Sequence, residues 1–447
     1  MPRLQLHDGM DVKDGETVSR AQPVRTVPGG TLVLGLVVVA WAVTLGRFLW
    51  HRVLLSFDTM NNYAHVWYVA NRIWAHGQLP LRMPVLGHGQ ALAFPYGFLP
   101  WATAALIRPV LGDWTVTLWV AVGAVGMVVA AFTAFPELRR GWWAAAVLLN
   151  PAVIEAALFG QLSFAWAAAL LLFGIAAWRR GSTVAAVILV GLAEATHPAV
   201  VLPLAVLVVL GWLPFERQRR LLLGCLALSL LIAAPAVILT LTSPVFGDAS
   251  TRDIAINFVS TLASRSIAVV MPLLFAVAAR HLRWTLAGIT ALGVAVLMNV
   301  ALQAPMRVAY GWQSLSRRDR ADSMHEFLNT STFVRGRTYR VLRDGDAKLG
   351  MYRLLQAGGH VDSEFFPEGM AIRSFVGPPQ YQALLCSRKV DYVLDFASYD
   401  IARHTNEHRM LLLLDHRAGG PARVRLMRAS ADLDVFAIDR AGCPRHR

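Results

Sequence analysis

Three carboxylates stand where a strongly apolar chain would be expected to carry none. Asp58 lies in Ser56-Phe57-Asp58-Thr59-Met60-Asn61-Asn62-Tyr63, Glu155 in Asn150-Pro151-Ala152-Val153-Ile154-Glu155, and Glu194 in Gly191-Leu192-Ala193-Glu194-Ala195-Thr196-His197-Pro198. Ionisable groups at the ends of apolar spans are costly unless they are paired, solvated or used. A carboxylate in such a place can take the proton of an attacking hydroxyl. Gln161 follows Glu155 as a candidate hydrogen-bonding group beside it, and His197 follows Glu194 within one turn of chain. His65 falls on the helical pattern after Asp58 and can line the same cleft. Asp248, Arg252 and Asp253 fall together, with Arg265 beyond them. Arginine receives a phosphate through its planar, bidentate fork.

Each of these residues also has a plainer reading. Asp58 is a good helix N-cap, as Ser56 or Thr59 would be. His65 fits a solvated polar face. Glu155 can be hydrated at its turn, and Glu194 with His197 can form an ordinary polar turn. The sequence leaves both readings open for each.

The elements that must position these residues are membrane spans. The chain has 447 residues, 56% of them hydrophobic and only 16% charged. Its mean hydropathy is +0.48. Apolar runs of roughly 17–24 residues, the length that crosses a bilayer, recur between residues 31 and 304. One soluble core could not bury that many. Residues 1–30 read as a flexible cytoplasmic tail. The first span follows at 31–54. A retained span is expected there, because the run is too long for a signal-peptide core.

The net charge is +14. The arginines cluster at span ends, as topology signals do, and no nucleic-acid partner is expected. The clusters are Arg139-Arg140, Arg179-Arg180, Arg217-Gln218-Arg219-Arg220 and Arg280-His281-Leu282-Arg283. If 95–111 crossed the membrane, all four would lie outside. If it does not cross, all four lie inside, as basic clusters prefer. The segment is short and contains Pro100 and Pro109. It is therefore read as a juxtamembrane or re-entrant helix on the outer side. The remaining runs are 114–134, 141–158, 161–178, 182–196, 197–213, 220–242, 264–280 and 283–304. This predicts about nine crossings. The N-terminus is then cytoplasmic, and an outer face carries loop 55–113, the turns near 155–162 and 194–198, and loop 243–263. Within that first loop, 61–76 is amphipathic and is expected along the membrane surface.

From about 305 the composition becomes that of a water-facing α/β domain, expected outside the cytoplasm and running to 447. Strands are expected at 338–342, 390–396, 423–427 and 434–438, and helices at 350–357, 379–386 and 401–414. The domain has no G-x-G-x-x-G or Walker pattern, so no nucleotide site is expected. Of three cysteines, Cys225 lies in an apolar run. Cys386 and Cys443 can form a disulfide if the domain is extracytoplasmic. No C-x-x-C pattern suggests a metal.

The stretches Phe57-Asp58 with Tyr63–Gly77 and Leu79-Pro80, Phe94-Pro95-Tyr96-Gly97-Phe98-Leu99-Pro100, and Asn150-Pro151 with Gly160-Gln161 together resemble the GT-C superfamily of polytopic glycosyltransferases. The likeness is to its polyprenyl-phosphate-sugar-dependent, family 87-like branch, and it covers roughly 31–304. It implies a polyprenyl-phosphate-linked sugar donor, a glycan or glycolipid acceptor, and inverting transfer on the extracytoplasmic face of a bacterial inner membrane. It implies Asp58 as general base. His65, Glu155, Gln161, Glu194, His197, Arg252 and Arg265 are expected to shape the substrate site. Thr59 follows Asp58 where many relatives have a second acid, so no metal ligand is assigned, though a divalent ion stays open. A transporter or flippase of a lipid-linked substrate, and a non-catalytic envelope scaffold, are the alternatives.

Overall fold

A computed structural model describes residues 28–50, 59–93, 97–244, 251–281, 285–306, 321–342, 347–362, 377–395, 406–415, 420–427 and 433–444. The helices of the first two-thirds are α1 (Pro28–Trp50), α2 (Thr59–His76), α3 (Phe98–Leu111), α4 (Trp114–Ala134), α5 (Gly141–Leu148), α6 (Pro151–Leu158), α7 (Leu162–Arg179), α8 (Thr183–Thr196), α9 (Pro198–Trp212), α10 (Arg219–Leu241), α11 (Thr251–His281) and α12 (Thr285–Met306). Between α2 and α3 lie the short paired strands β1 (Arg82–Met83) and β2 (Gln90–Ala91).

Among the described residues, six segments are long and apolar enough to cross a membrane. They are Gly29–Gly46, Trp114–Ala134, Gly141–Leu158, Leu162–Arg179, Arg219–Leu241 and Leu262–His281. Four shorter apolar helices accompany them: α3, α8, α9 and the stretch Thr285–Ala301. Leucine and valine side chains remain exposed along α1 and α10, as suits helices solvated by lipid tails. At 1.5 Å per residue, α3 is only about 21 Å long, short of the ~30 Å hydrocarbon core.

Two expectations change. Residues 251–263, expected as a loop, are helical and form the start of α11. The run 141–158 is not one helix but two, broken at Leu149-Asn150. Pro151 has no backbone N–H and starts α6, while the Asn150 side chain accepts from Ala152 N at 3.0 Å and caps it. A break inside lipid exposes carbonyls that must find donors. Trp41 Nε1 donates to Leu148 O at 2.8 Å, and Asn299 Nδ2 to Leu149 O at 2.6 Å. The Asn150 amide donates onward to Ile267 O at 3.1 Å. The break is thus closed by side chains of α1 and α12 and tied to the backbone of α11.

The bundle has two unlike ends. At one, the basic clusters gather: Glu137 lies 3.8 Å from Arg179 and 3.0 Å from Arg280, and Trp178 Nε1 donates to Glu216 at 3.1 Å. This is the arginine end. At the other, the turn end, Asn62 reaches Gly160, Gly97 reaches Thr196, and Ser243 reaches Ala91.

The C-terminal domain contains α13 (Ala321–Leu328), β3 (Thr338–Val341), α14 (Ala347–Ala357), β4 (His360–Val361), α15 (Pro378–Ser387), β5 (Tyr392–Asp395), α16 (Asn406–Asp415), β6 (Arg423–Leu426) and β7 (Asp434–Asp439). The expected α/β alternation is present, with α13 and β4 added to it. The sheet order is β4-β3-β5-β7-β6, with β3 parallel to β4 and β5, and β7 antiparallel to β5 and β6. Arg340 is buried in β3 and paired with Asp362 and Glu407. Cys386 and Cys443 are disulfide-bonded, with Cα atoms 5.5 Å apart.

The domain is fastened to the turn end. Val361 N donates to Val85 O at 2.8 Å and Gly87 N to Val361 O at 3.0 Å, so residues 85–87 extend the sheet beyond β4. His88 Nε2 lies 3.1 Å from Asp362 Oδ1. Tyr352 OH donates to Asp113 Oδ1 at 2.7 Å and accepts from Arg108 at 3.0 Å, and its ring lies 5.7 Å from Tyr63.

Two outcomes test this packing. A Cβ at Gly191 would lie 2.7 Å from Ile232 Cβ, so Gly191→Val should cost about 1–3 kcal/mol by overpacking, read as a lowered Tm in detergent. The disulfide joins residues 57 apart in sequence, so replacing both cysteines by serine should cost about 4 kcal/mol on the loop-entropy model. Denaturant unfolding of the full-length protein checks it.

Candidate functional site

The turn end is built around α2. Asn62 is buried with both ends of its amide used: Nδ2 donates to Gly160 O at 2.8 Å, and Oδ1 accepts from Trp101 Nε1 at 2.8 Å. One side chain thereby joins α2, α3 and the turn before α7. Gly160 takes φ +64°, a left-handed conformation that turns the chain sharply. Gly97 also has a positive φ, +115°, and a Cβ there would collide with Ser163 Oγ at 2.2 Å and with Trp101. The residue type at 97 is therefore set by the closeness of α3 to α7. Gly97 N donates to Thr196 O at 2.9 Å, bringing the end of α8 to the same place.

His65 is fully buried, not on a solvated face. It stacks on Trp101 with centroids 3.7 Å apart. Its Nδ1 bonds the Asn61 carbonyl at 2.8 Å, which puts the proton on Nδ1 and leaves Nε2 to accept from Gln90 Nε2 at 3.4 Å. Burial pushes the imidazole down to about 3, against a smaller opposing effect of the Asn61 bond. His65 is thus neutral and positions α2 against α3.

Glu155 is half-buried and accepts from Gln161 Nε2 at 2.9 Å, pairing the two residues that the sequence placed at one turn. Among the described residues, Gln161 Oε1 and Ser163 Oγ beside it are buried without hydrogen-bond partners. His197 joins α8 to α9 and accepts from Arg265 Nη1 at 2.6 Å. The Arg265 guanidinium lies 5.4 Å over the Phe164 ring, which meets His197 edge-on at 6.1 Å. Arg265 of α11 is thereby held at the junction of α7, α8 and α9.

Glu194 faces elsewhere. It is completely buried, and its Oε1 accepts from Ser229 Oγ of α10 at 3.3 Å, while Oε2 has no partner. It joins α8 to α10 rather than meeting Glu155. Asp58 lies outside the described residues, immediately before α2. Arg252 falls in the first turn of α11, with its side chain outside the described residues. Asp248 is outside them as well. Among the described residues no cluster of three or more His, Cys, Asp or Glu is placed to hold a metal.

Sequence reasoning missed Asn62, Trp101, Gln90 and Ser163 as members of this site. Only the amphipathic pattern of α2 hinted at Asn62. Nothing in the spacing links it to Trp101, 39 residues on. No protein-family model matches the chain, and no curated protein is significantly similar to it.

The neutral state of His65 has a pH signature. Its folded value lies below the unfolded value of about 6.5, so the unfolded chain binds the extra proton first. The contribution to stability is level above pH 6.5 and falls as pH drops from there toward 3. His65→Phe keeps an aromatic stack and loses this dependence. Tm measured from pH 7.5 to pH 4 in detergent should fall less steeply in the variant, which starts lower by about 1 kcal/mol for the lost hydrogen bonds.

Proposed function

We propose that this chain is a GT-C-type glycosyltransferase. It transfers a sugar from a polyprenyl-phosphate donor to a glycan or glycolipid acceptor, with inversion, at the extracytoplasmic face of the membrane. The observation that carries this reading is the meeting at one end of the bundle of the start of α2, the Gly160-Gln161 turn, the Thr196-His197 junction and Arg265. Of the three sequence stretches that resemble the superfamily, the described residues Gly97 and Gly160 lie at this end.

In this reading Asp58, the residue just before α2, takes the proton of the acceptor hydroxyl as that oxygen attacks the anomeric carbon. The bond from that carbon to the phosphate oxygen breaks, and the polyprenyl phosphate leaves with the electron pair. Phosphate is a good leaving group, so a cation suffices where a strong acid would otherwise be needed. Arg265, oriented by His197 and Phe164, supplies that charge. Arg252 is a second cation on the same helix. Glu155 and Gln161, with the unsatisfied Gln161 Oε1 and Ser163 Oγ, are suited to sugar hydroxyls.

The topology that goes with this has about nine crossings, α3 lying at the outer surface and the arginine end in the cytoplasm. The disulfide supports it, because disulfides persist in oxidising compartments and this domain docks on the turn end. A transporter reading draws on the broken span α5–α6, since discontinuous helices often bind substrates or ions. The carbonyls freed at this break are already taken by Trp41 and Asn299, which favours a structural role for the break.

The test is transfer of labelled sugar from a polyprenyl-phosphate donor in membranes containing the chain. Asp58→Asn should lower the rate by about 100-fold or more. Undiminished activity in that variant would refute the assigned role. Arg265→Ala should also cost about 100-fold, and Arg265→Lys should not restore the rate, because lysine lacks the bidentate fork. Movement of a labelled lipid-linked sugar across sealed vesicles without a product would decide for transport.

A further inference from the structure

A narrow, almost wholly apolar cleft lies between α7, α8, α9 and α10, away from the turn end. Its walls include Leu171, Ile175, Val187, Val190, Val208 and Leu226. Trp178, Arg179 and Trp212 line it toward the arginine end, and Ser229 lines it on the side toward Glu194. From Leu222 to Ser229 on α10 the cleft runs about 10 Å, close to a third of the hydrocarbon thickness.

Close packing on one side and loose packing on the other create it. A Cβ at Gly174 would lie 2.6 Å from Val190 Cγ2, and one at Gly191 would lie 2.7 Å from Ile232. These glycines seat α8 tightly on α7 and α10. The α9 helix carries Pro198 at its start and Pro203 inside, and it packs less closely on α7, α8 and α10 than α8 packs on α7 and α10. It stands off, and the gap is the cleft. Along α8, Glu194 falls between the cleft residue Val190 and the turn-end residue Thr196. Its bond to Ser229 lies between the cleft and the candidate site.

The arginine end of the cleft has the chemistry of a membrane boundary. Tryptophans favour that level, and arginines there attract anionic head groups. Arg180, Arg217, Arg219 and Arg220 are exposed around it. The nearby acids are engaged: Glu137 pairs with Arg179 and Arg280, and Glu216 accepts from Trp178 Nε1 and Gln218 N.

We propose that this cleft binds one acyl chain of an anionic phospholipid, with the phosphodiester head group at the arginine rim. The part of the chain next to the head group lies along the cleft as far as Ser229, and the remainder lies among the neighbouring lipid tails. The site belongs to the leaflet at the arginine end and is separate from the sugar-transfer site. It stands whether or not the turn end transfers sugar.

The experiment uses the full-length protein, stripped of lipid in detergent. The probe is phosphatidylglycerol carrying a photoreactive diazirine on one acyl chain. Crosslinks should concentrate on peptides containing Ile175, Val208 and Cys225, all of which line the cleft. Unlabelled phosphatidylglycerol should compete about tenfold better than phosphatidylcholine. Val208→Trp fills the cleft and should abolish the crosslinks. Should that variant misfold, the double charge reversal Arg217→Glu/Arg219→Glu leaves the bundle interior untouched. It should retain the crosslinks and lose the preference for the anionic lipid. Labelling spread evenly over the lipid-facing residues Leu231 and Ile238 would overturn the proposal, as would equal competition by phosphatidylcholine.

Discussion

The buried amide of Asn62 is the contact on which the turn end depends. A primary amide buried in a helical bundle is expensive unless both its donor and its acceptor are satisfied. Here the donor goes to Gly160 O and the acceptor receives Trp101 Nε1. The two partners are 98 and 39 residues away in sequence. That pairing ties α2 to the turn before α7 and, together with the His65–Trp101 stack, sets its register against α3. With it, the first turn of α2 is brought to the end of the bundle where Thr196, His197 and Arg265 arrive from other helices.

The apolar helices were legible because hydropathy is a strong signal, and six of the segments are long enough to cross a membrane among the described residues. Residues 114–134 are one helix with those bounds, and the pair α8 and α9 divides at His197-Pro198 as the proline suggests. The broken span was harder to read. Asn150-Pro151 is a good helix start, but a continuous apolar run hides the stop before it. The helical start of α11 was missed for a different reason: polar residues such as Asp253 and Asn257 resemble a loop when only hydropathy is counted. In the small domain the alternating pattern gave the strands, while β4 escaped notice. It has only two residues, and sequence periodicity needs more than that.

The candidate site was legible in part. Glu155 and Gln161 were read as neighbours and are bonded, whereas His197 was read with Glu194 and Arg265 with Arg252, and it is His197 and Arg265 that are bonded. Glu194 was grouped with them because it shares a turn with His197. A difference of three residues on and beyond a helix end is enough to aim a side chain at another neighbour, here Ser229. His65 illustrates the reverse error. Its surroundings are set by Trp101 and Gln90, from segments whose proximity no local pattern encodes.

The sheet of the small domain borrows its outermost rung from the membrane half of the chain. Residues 85–87 pair with Val361, and β4 is itself only two residues long. A strand left at a sheet edge offers unpaired N–H and C=O groups to any passing chain. The loop that covers this edge is made some 270 residues earlier in synthesis, so it is already at the membrane when β4 emerges. The membrane half thus acts as an intramolecular template for the late-made domain. Cut free of it, the domain would carry a raw edge inviting self-association.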